Sequence, residues 1–436
     1  MQEKYLLEKC DIKKLSITQE KIDIYFKEKL NKYSDEEYLY WDKIKYKNIP
    51  EWFNDNKELW GIIKIMRIPN IISPIKTETW NFFKFWELQF SKELLHEIDK
   101  NTSWTFFTSI SETDKKLFIA NWTLEEAISS SQLEWASTTT KNAKEMIQKW
   151  KKPTTKDEQM ILNNFHAMNY IKNDLIKKEL EIWDLLYLQS VLTKDTIEKD
   201  EIWRFRKDSD NIIVEFEWKI THIPPNEKFL ATEIKNFIDF ANDKWSFDMF
   251  VHPIIKAILI HFWIWYLHPF CDWNGRTARA LFYWYLLKHD YFGFSYIPLS
   301  STIKKSKIDY AKSYIYSEQD DLDANYFINY NLRKIKLALN KFKEEITIKF
   351  KQNHNNLKKL AHLDLNDRQK KLINYFLENK DSFTNPITHM NYYSLSKKTA
   401  IVDLKTLEKK WFIFSIKSWR NLNYFPVDNL SDKISK

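Results

Sequence analysis

A nearly continuous apolar stretch runs from Ile254 to Leu267, in which a lysine and a histidine are the interruptions. A second apolar stretch, from Ala280 to Leu287, follows after a short polar segment. Apolar runs without a polar face are typical of helices buried on all sides. The pattern therefore predicts two buried helices joined by a polar turn, and it places the start of the second helix at about Gly275 or Arg276.

The polar turn, which begins at His268, has the composition of an anion-binding loop. The start of a helix presents unpaired backbone N–H groups and the positive end of the helix dipole. Arg276 and Arg279 lie three residues apart on one face, where their charges oppose the dipole, and an anion between them would resolve that conflict. Asp272 is a candidate magnesium ligand, and His268 is a candidate general base. Any one of these four side chains alone would be an ordinary helix-end or surface residue, but together they favour a phosphate site.

This segment resembles the signature of the Fic (Fido) family, His-x-Phe-x-Asp/Glu-Gly-Asn-Gly-Arg-x-x-Arg. From His268 the chain reads His-Pro-Phe-Cys-Asp-Trp-Asn-Gly-Arg-Thr-Ala-Arg, so one position departs, with Trp273 in place of glycine. Members of that family typically move AMP from ATP onto a hydroxyl of a target protein. The resemblance implies a mostly α fold: a Fic-type helical core with a β-hairpin flap, an N-terminal helical accessory region and a C-terminal winged helix.

The same resemblance assigns a role to each matching residue. His268 would deprotonate a Ser, Thr or Tyr of the target, and Asp272 would bind Mg²⁺ on the phosphates of ATP. The remaining residues would hold the nucleotide: Asn274 and Gly275 in the anion hole, Arg276 and Arg279 on the β- and γ-phosphates.

A second motif resembles the inhibitory helix of the family, Ser/Thr-x-x-x-Glu-Gly/Asn, near residues 125–135. Ser130 and Glu134 match it and are spaced to share one helical face, and Trp135 again stands at the glycine. In the family this glutamate pairs with the second arginine of the signature, here Arg279. Taken alone, Glu134 would be an ordinary solvated helix residue; its companion motif favours an inhibitory role.

Glycine and tryptophan have unusual frequencies: 3 Gly and 19 Trp among 436 residues. Several tryptophans stand where glycine is expected: Trp273, Trp135, Trp218 in a hairpin turn, Trp411 after a helix, and Trp419 in a polar turn. We hypothesise that many of them are UGA codons that the source organism reads as glycine. Trp263 and Trp284, within apolar helical runs, are expected to be genuine core residues.

Between the two motifs, the alternating segments Ile212–Phe216 and Ile220–Ile223 predict a hairpin around Trp218. By pattern alone this is a simple surface hairpin. By resemblance it is the flap, to which a target segment adds as an extra strand.

The C-terminal part predicts a helix over Asn366–Leu377, a second over Ser396–Lys410 with a serine cap, and a strand pair over Phe412–Val427. This resembles a winged helix-turn-helix. Two partners stay open: DNA, whose phosphates would contact the basic residues of this region, or a protein that docks on a solvated basic face. The basic residues are Lys397, Lys398, Lys405 and Arg420.

Length predicts about three domains: an accessory region over 1–100, a Fic domain over 101–348, and a linker helix with the winged module over 349–436. A hydrophobic content of 44% is sufficient for a buried core. The net charge of +8 permits acidic partners or nucleic acid without requiring either. Cys10 and Cys271 are the only cysteines, which argues against a disulfide framework or a zinc site. A cytoplasmic protein without a membrane span or signal peptide is expected.

We therefore expect an autoinhibited protein adenylyltransferase, a nucleotidyltransferase that uses ATP and Mg²⁺ on a target protein. Homo-oligomerisation stays open. The alternatives are a Fic-fold enzyme that removes AMP or transfers another nucleotidyl or phosphoryl group, and a nucleotide-sensing DNA-binding regulator.

Overall fold

A computed structural model describes residues 3–12, 15, 17–67, 70–102, 112–148, 151–245, 250–378, 382–393, 395–418 and 421–434. The chain divides into two compact units, Met1–Asn340 and Lys341–Lys436. In the described residues helices predominate and the three small sheets are each a two-stranded antiparallel hairpin. The prediction of a mostly helical chain with small hairpins is confirmed.

The first unit contains most of the helices. They are α1 (Gln19–Lys27), α2 (Trp41–Ile44), α3 (Asn56–Met66), α4 (Gln89–Thr102), α5 (Glu112–Leu133), α6 (Thr140–Gln148), α7 (Lys156–Asn173), α8 (Ile182–Thr193), α9 (Glu227–Ala241), α10 (Pro253–Leu267), α11 (Asn274–Lys288), α12 (Leu299–Ile303), α13 (Lys307–Gln319) and α14 (Asn325–Ala361), the last of which continues past Asn340. Short 3₁₀ turns lie at Leu30–Tyr33, Leu175–Lys177, Lys199–Glu201, Asp208–Asp210, Phe292–Tyr296 and Lys304–Ser306.

Helices α10 and α11 form the centre of this unit, as their apolar sequences predict. Every residue of α10 from Ile254 to Leu267 is buried, and α11 is buried along almost its whole length. Helices α7, α8 and α9 pack around this pair, and α5 packs on α7 and α12. The indole of Trp263 contacts Phe237 and Phe240, and that of Trp284 donates to the Leu175 carbonyl, so both tryptophans belong to the core as expected.

The described part of this unit contains two hairpins: β1 (Ile71–Lys76) with β2 (Phe82–Phe85), and β3 (Val214–Phe216) with β4 (Lys219–His222). The second is the predicted hairpin. Its two turn residues, Glu217 and Trp218, both have positive φ, the geometry of a tight type I′ turn that normally contains glycine.

The N-terminal region packs on the later helices of the same unit. Its core joins side chains of α1, α2 and α3 to Ile315, Tyr316 and Tyr326. Polar contacts reinforce this packing: the Tyr38 hydroxyl donates to Asp323 at 2.6 Å, and buried Arg67 donates to the Tyr326 hydroxyl at 2.8 Å.

The second unit has its own core, centred on Leu372, Phe376, Leu404 and Tyr424. Beyond the end of α14 it contains α15 (Asp367–Glu378), α16 (Pro386–Tyr393), α17 (Lys397–Lys409), the hairpin β5 (Ile413–Ser418) with β6 (Asn421–Pro426), and α18 (Leu430–Lys433). Ser396 caps α17, since its Oγ accepts from the Thr399 N–H at 3.2 Å. Helix α16 was not predicted, and Trp419 and Arg420 lie outside the described residues.

Within the described part of the chain, none of the helices is both long and apolar enough to cross a membrane.

Candidate active site

The loop between α10 and α11 begins and ends with a residue in left-handed conformation. His268 caps the C-terminus of α10 with φ of 47°, and Trp273 precedes α11 with φ of 73°. The side chain of Asn274 closes the loop: its Oδ1 accepts from the Phe270 N–H at 2.9 Å, and its Nδ2 donates to the Phe270 carbonyl at 2.8 Å. The Asn274 side chain thus stabilises the loop, and because both of its polar atoms are already hydrogen-bonded, Asn274 would contact an anion through its backbone N–H.

The geometry of His268 suits a general base. Its Nδ1 lies 3.2 Å from the Trp265 carbonyl, which can only accept, so Nδ1 carries the proton and Nε2 has a free lone pair. Burial, helped by the nearby His222, lowers the pKa of His268 to about 3. The ring is therefore neutral at physiological pH.

Two arginines of α11 are buried beside this loop. Arg276 is 2% exposed, and its Nε and Nη2 have no hydrogen-bond partner among the described residues; the same holds for Nη1 of Arg279. Burial lowers the pKa of Arg276 to about 10. Leaving buried donors unpaired is costly, so these N–H groups would favour an anion as a partner.

The Trp273 indole occupies the space beside Arg276. The indole is 3% exposed, its ring centre lies 3.7 Å from the Arg276 guanidinium carbon, and its Nε1 lacks a partner among the described residues. A cation–π contact offsets part of the cost of burying the guanidinium but leaves its N–H groups unpaired.

Ser130 and Glu134 reach the same site from the end of α5. The Ser130 Oγ accepts from Arg279 Nε at 2.8 Å, and Glu134 Oε1 accepts from Arg279 Nη2 at 2.8 Å. Burial would raise the pKa of Glu134, but Arg279 and Arg276 outweigh it and hold that pKa below its usual value. A β-carbon on Gly275 would lie 2.3 Å from Glu134 Oε1, so only glycine at 275 permits this approach.

Two lysines hold the last turn of α5. Lys304 Nζ donates to the Gln132 side chain and Lys307 Nζ to the Gln132 carbonyl, each at 2.7 Å. Their positive charges are favourable at the C-terminal end of a helix. Trp135 follows with φ of 70° and is 83% exposed, in the position where a helix commonly ends in glycine.

Asp272 lies at the exposed edge of the loop. Its Oδ1 accepts from the Trp273 N–H at 2.6 Å. Although the side chain is exposed, neighbouring protein groups partly desolvate the carboxyl and raise its pKa, and the Trp273 N–H and Arg276 oppose this shift. Among the described residues there is no cluster of three or more His, Cys, Asp or Glu side chains that would by itself bind a metal.

The structure thus brings all eight residues singled out from the sequence to one place: His268, Asp272, Asn274, Gly275, Arg276, Arg279, Ser130 and Glu134. Sequence reasoning missed Lys304, Lys307 and Arg206. Arg206 donates to the carbonyls of Leu267 and His268, which lie 61 and 62 residues further along the chain. No local motif identifies such partners.

A model of the Fic/DOC family matches residues 179–286. The protein adenylyltransferase Fic of Drosophila willistoni is 35% identical over 128 residues, 29% of this chain and 23% of that protein. The protein of the same name from Drosophila melanogaster is 34% identical over 128 residues, 29% of this chain and 24% of its own length.

A crystal structure of a Fic family protein from Desulfovibrio desulfuricans G20 superposes with a TM-score of 0.50 at 16% identity, covering 77% of this chain and 94% of that one. This likeness shows the fold alone. The chain spans about a quarter of the length of the curated relatives it matches. Ser130 and Glu134 lie outside the matched range, whereas the whole α10–α11 loop lies inside it. Residues 179–286 therefore form a domain of the Fic/DOC family.

Proposed function

We propose that this chain is an autoinhibited protein adenylyltransferase that transfers AMP from ATP to a Ser, Thr or Tyr hydroxyl of another protein. The observation that carries the proposal is the pair of buried, incompletely bonded guanidinium groups of Arg276 and Arg279 beside a neutral His268. The relatives named above as protein adenylyltransferases support the same reaction.

The anion in this proposal is the triphosphate of ATP. The first helical bond of α11 is the one from Thr277 N–H to the Trp273 carbonyl, so the N–H groups of residues 274–276 are unpaired within the helix. These N–H groups, the helix dipole and the two guanidinium groups together match the negative charge and the many acceptor oxygens of a polyphosphate.

The chemistry follows from the position of His268. Its Nε2 removes the proton of the target hydroxyl, whose oxygen attacks the α-phosphorus in line. A new oxygen–phosphorus bond forms, and the bond between the α-phosphorus and the bridging oxygen breaks. The electron pair leaves with pyrophosphate, whose growing charge Arg276 and Arg279 stabilise.

A magnesium ion fits beside Asp272, because this metal is commonly held by one carboxylate together with substrate phosphates. The Asp272 carboxylate lies at the exposed edge of the loop, where one of its oxygens accepts from the Trp273 N–H, so the other could reach such an ion. When bound, the ion would neutralise phosphate charge during transfer.

Autoinhibition is assigned to Ser130 and Glu134. Both bind Arg279 and so compete with phosphate oxygens for its guanidinium donors. Lys304 and Lys307 hold the end of α5 in the position that allows this. Replacing Glu134 with glycine should raise the rate of AMP transfer on the order of tenfold.

Trp273 is the residue that disagrees with nucleotide binding, because its indole lies on Arg276 where a phosphate should approach. The disagreement disappears if position 273 is one of the UGA codons that we hypothesise the source organism reads as glycine. A glycine has no side chain to obstruct a phosphate, and it adopts the φ of 73° without strain.

The hairpin β3–β4 is the proposed docking site for a segment of the target. The β4 edge is already paired, since Tyr5 N–H donates to the Ile220 carbonyl at 2.8 Å and Ile220 N–H donates to Glu3 at 3.0 Å. The β3 edge has no backbone partner other than β4 in the described part of the chain. We therefore place the incoming strand on β3.

For the second unit we propose a winged module with two candidate partners, DNA and protein. Helix α17 exposes three lysines, as DNA binding would need: Lys397, Lys398 and Lys405. The same helix also exposes Val402, which is 55% accessible and would suit a protein partner. DNA binding through phosphates weakens steeply with salt. Mobility shifts whose affinity is independent of salt would count against binding of DNA through its phosphates and favour the protein partner.

The reaction is tested with purified protein and ATP carrying a tag on its AMP moiety. The Glu134→Gly variant should label itself or a protein of an extract, and the additional change His268→Ala should abolish labelling. Persistent labelling after His268→Ala would contradict the assignment of the base.

A further inference from the structure

Arg206 makes an unusual set of contacts with the loop that contains His268. Its Nε donates to the His268 carbonyl at 2.7 Å, and its Nη2 donates to the Leu267 carbonyl at 3.1 Å. Its backbone N–H donates to the Pro269 carbonyl at 2.9 Å. One residue thus binds three consecutive carbonyls, and Nη2 also donates to the Pro225 carbonyl, just beyond β4.

These bonds stabilise a conformation that the loop would not adopt freely. His268 has φ of 47° and ψ of 58°, a left-handed conformation that costs a residue with a β-carbon roughly 1 kcal/mol. The end of α10 also leaves carbonyl groups without helical partners. Arg206 donates to two of these carbonyls, those of Leu267 and His268, and places a positive charge at the negative end of the α10 dipole.

Neighbouring residues extend the same contact. The Phe205 ring stacks on Phe270 with a centroid distance of 5.7 Å, and the Cys271 Sγ lies 3.4 Å from Asp210 Oδ2. The segment from Phe205 to Asp210 therefore follows the loop along its length, with Arg206 as its central contact.

The charge of Arg206 also bears on the imidazole. No carboxylate lies within ion-pair distance of Arg206 among the described residues, so its charge is balanced by carbonyl dipoles. After burial and His222, Arg206 is a further cause that lowers the pKa of His268. A nearby positive charge favours the neutral ring that a general base requires.

We infer that Arg206 is a positioning residue for His268: it holds the left-handed turn that directs the imidazole toward the proposed phosphate site. This inference rests on the proposed function for its kinetic consequence but not for its geometry. Arg206 does not touch the reacting atoms.

The test uses full-length Glu134→Gly protein with Arg206→Lys or Arg206→Met added. Lysine retains the positive charge but not the planar guanidinium that donates to several carbonyls at once, and methionine retains neither. We expect kcat to fall about 100-fold in Arg206→Met and less in Arg206→Lys, with KM for ATP nearly unchanged, because a displaced base impairs chemistry rather than nucleotide binding.

A second readout does not need turnover. Diethyl pyrocarbonate reacts with neutral, accessible imidazoles, and peptide mass spectrometry reports its reaction with His268 as a function of pH. The midpoint of this reaction should move to higher pH in Arg206→Met and less in Arg206→Lys. If the parent has no transferase activity, the proposed reaction fails while this titration still decides the role of Arg206.

Arg67 offers a matched control, since it is also 5% exposed and donates to two carbonyls, those of Tyr33 and Leu39. Arg67→Met should lower thermal stability to a similar extent without changing kcat or the His268 titration. The inference is overturned if Arg206→Met changes kcat and the titration midpoint no more than Arg67→Met does.

Discussion

At the scale of single residues, tryptophan occupies positions whose backbone favours glycine. Six tryptophans among the described residues have positive φ, and no glycine does. Five of the six are exposed, so their indoles contribute little packing that would offset the strain. The six are Trp80, Trp135, Trp203, Trp218, Trp273 and Trp411. This pattern supports the hypothesis of recoded glycines, which a UGG codon at position 273 would refute.

Position 273 gives the corresponding prediction. Trp273→Gly, made together with Glu134→Gly, should increase affinity for Mg-ATP at least tenfold, because it removes the indole from Arg276 and relieves a φ of 73°. Isothermal titration calorimetry measures the change. Trp218→Gly is the control: its φ of 65° is similar, but it lies in the hairpin turn, so it should stabilise the protein without altering nucleotide affinity. Equal affinities for Mg-ATP in the Glu134→Gly protein and in the Glu134→Gly, Trp273→Gly protein would contradict the prediction.

At the scale of elements, the end of α5 is held by residues from the 3₁₀ turn Lys304–Ser306 and from α13. Lys307→Met removes a charge and a hydrogen bond from the Gln132 carbonyl, so Glu134 should be held less firmly on Arg279. We expect the initial rate of AMP transfer to rise several-fold. In the Glu134→Gly background the same change should have no effect, because the inhibitory contact is already gone.

Lys305 lies between the two holding lysines and is exposed, so Lys305→Met serves as the control and should leave the rate unchanged. An equal activation by Lys307→Met with and without Glu134 would show that Lys307 acts by another route.

Elements with a strong local pattern were predictable from the sequence. The apolar runs identified α10 and α11, and the alternation around Trp218 identified β3 and β4. Helix α11 begins at Asn274, close to the predicted Gly275 or Arg276. Contacts between segments that are distant in sequence, such as Lys307 with Gln132 or Arg206 with His268, leave no trace in the local hydrophobic pattern and could not be predicted. Helix α16 was missed for a different reason, since its eight residues are too few to establish a period.

At the scale of the whole molecule, the N-terminal region is joined to the later helices of the first unit through buried polar groups. Burial raises the pKa of Asp323 to about 6, against 3.8 for the ordinary carboxyl, although Tyr38 donates to it. The folded state therefore binds this proton more tightly than the unfolded state, and the cost of burying the charge appears as pH rises.

This cost should be absent below about pH 4 and complete above about pH 6, where it reaches on the order of 3 kcal/mol. The free energy of unfolding of the parent should fall across this window relative to that of Asp323→Asn, whose side chain does not titrate. Denaturant unfolding at several pH values gives the comparison. Parallel pH profiles for the two proteins would show that Asp323 does not titrate as described.

AMP transfer at the α10–α11 loop is the activity proposed for the whole molecule. The most direct measurement compares ATP labelled at the α-phosphate with ATP labelled at the γ-phosphate, using the Glu134→Gly, Trp273→Gly protein and an extract of the source organism. Label from the α-phosphate, but not from the γ-phosphate, should become covalently bound to protein, and His268→Ala should abolish it. Transfer of the γ-label, or of neither label, would contradict the account.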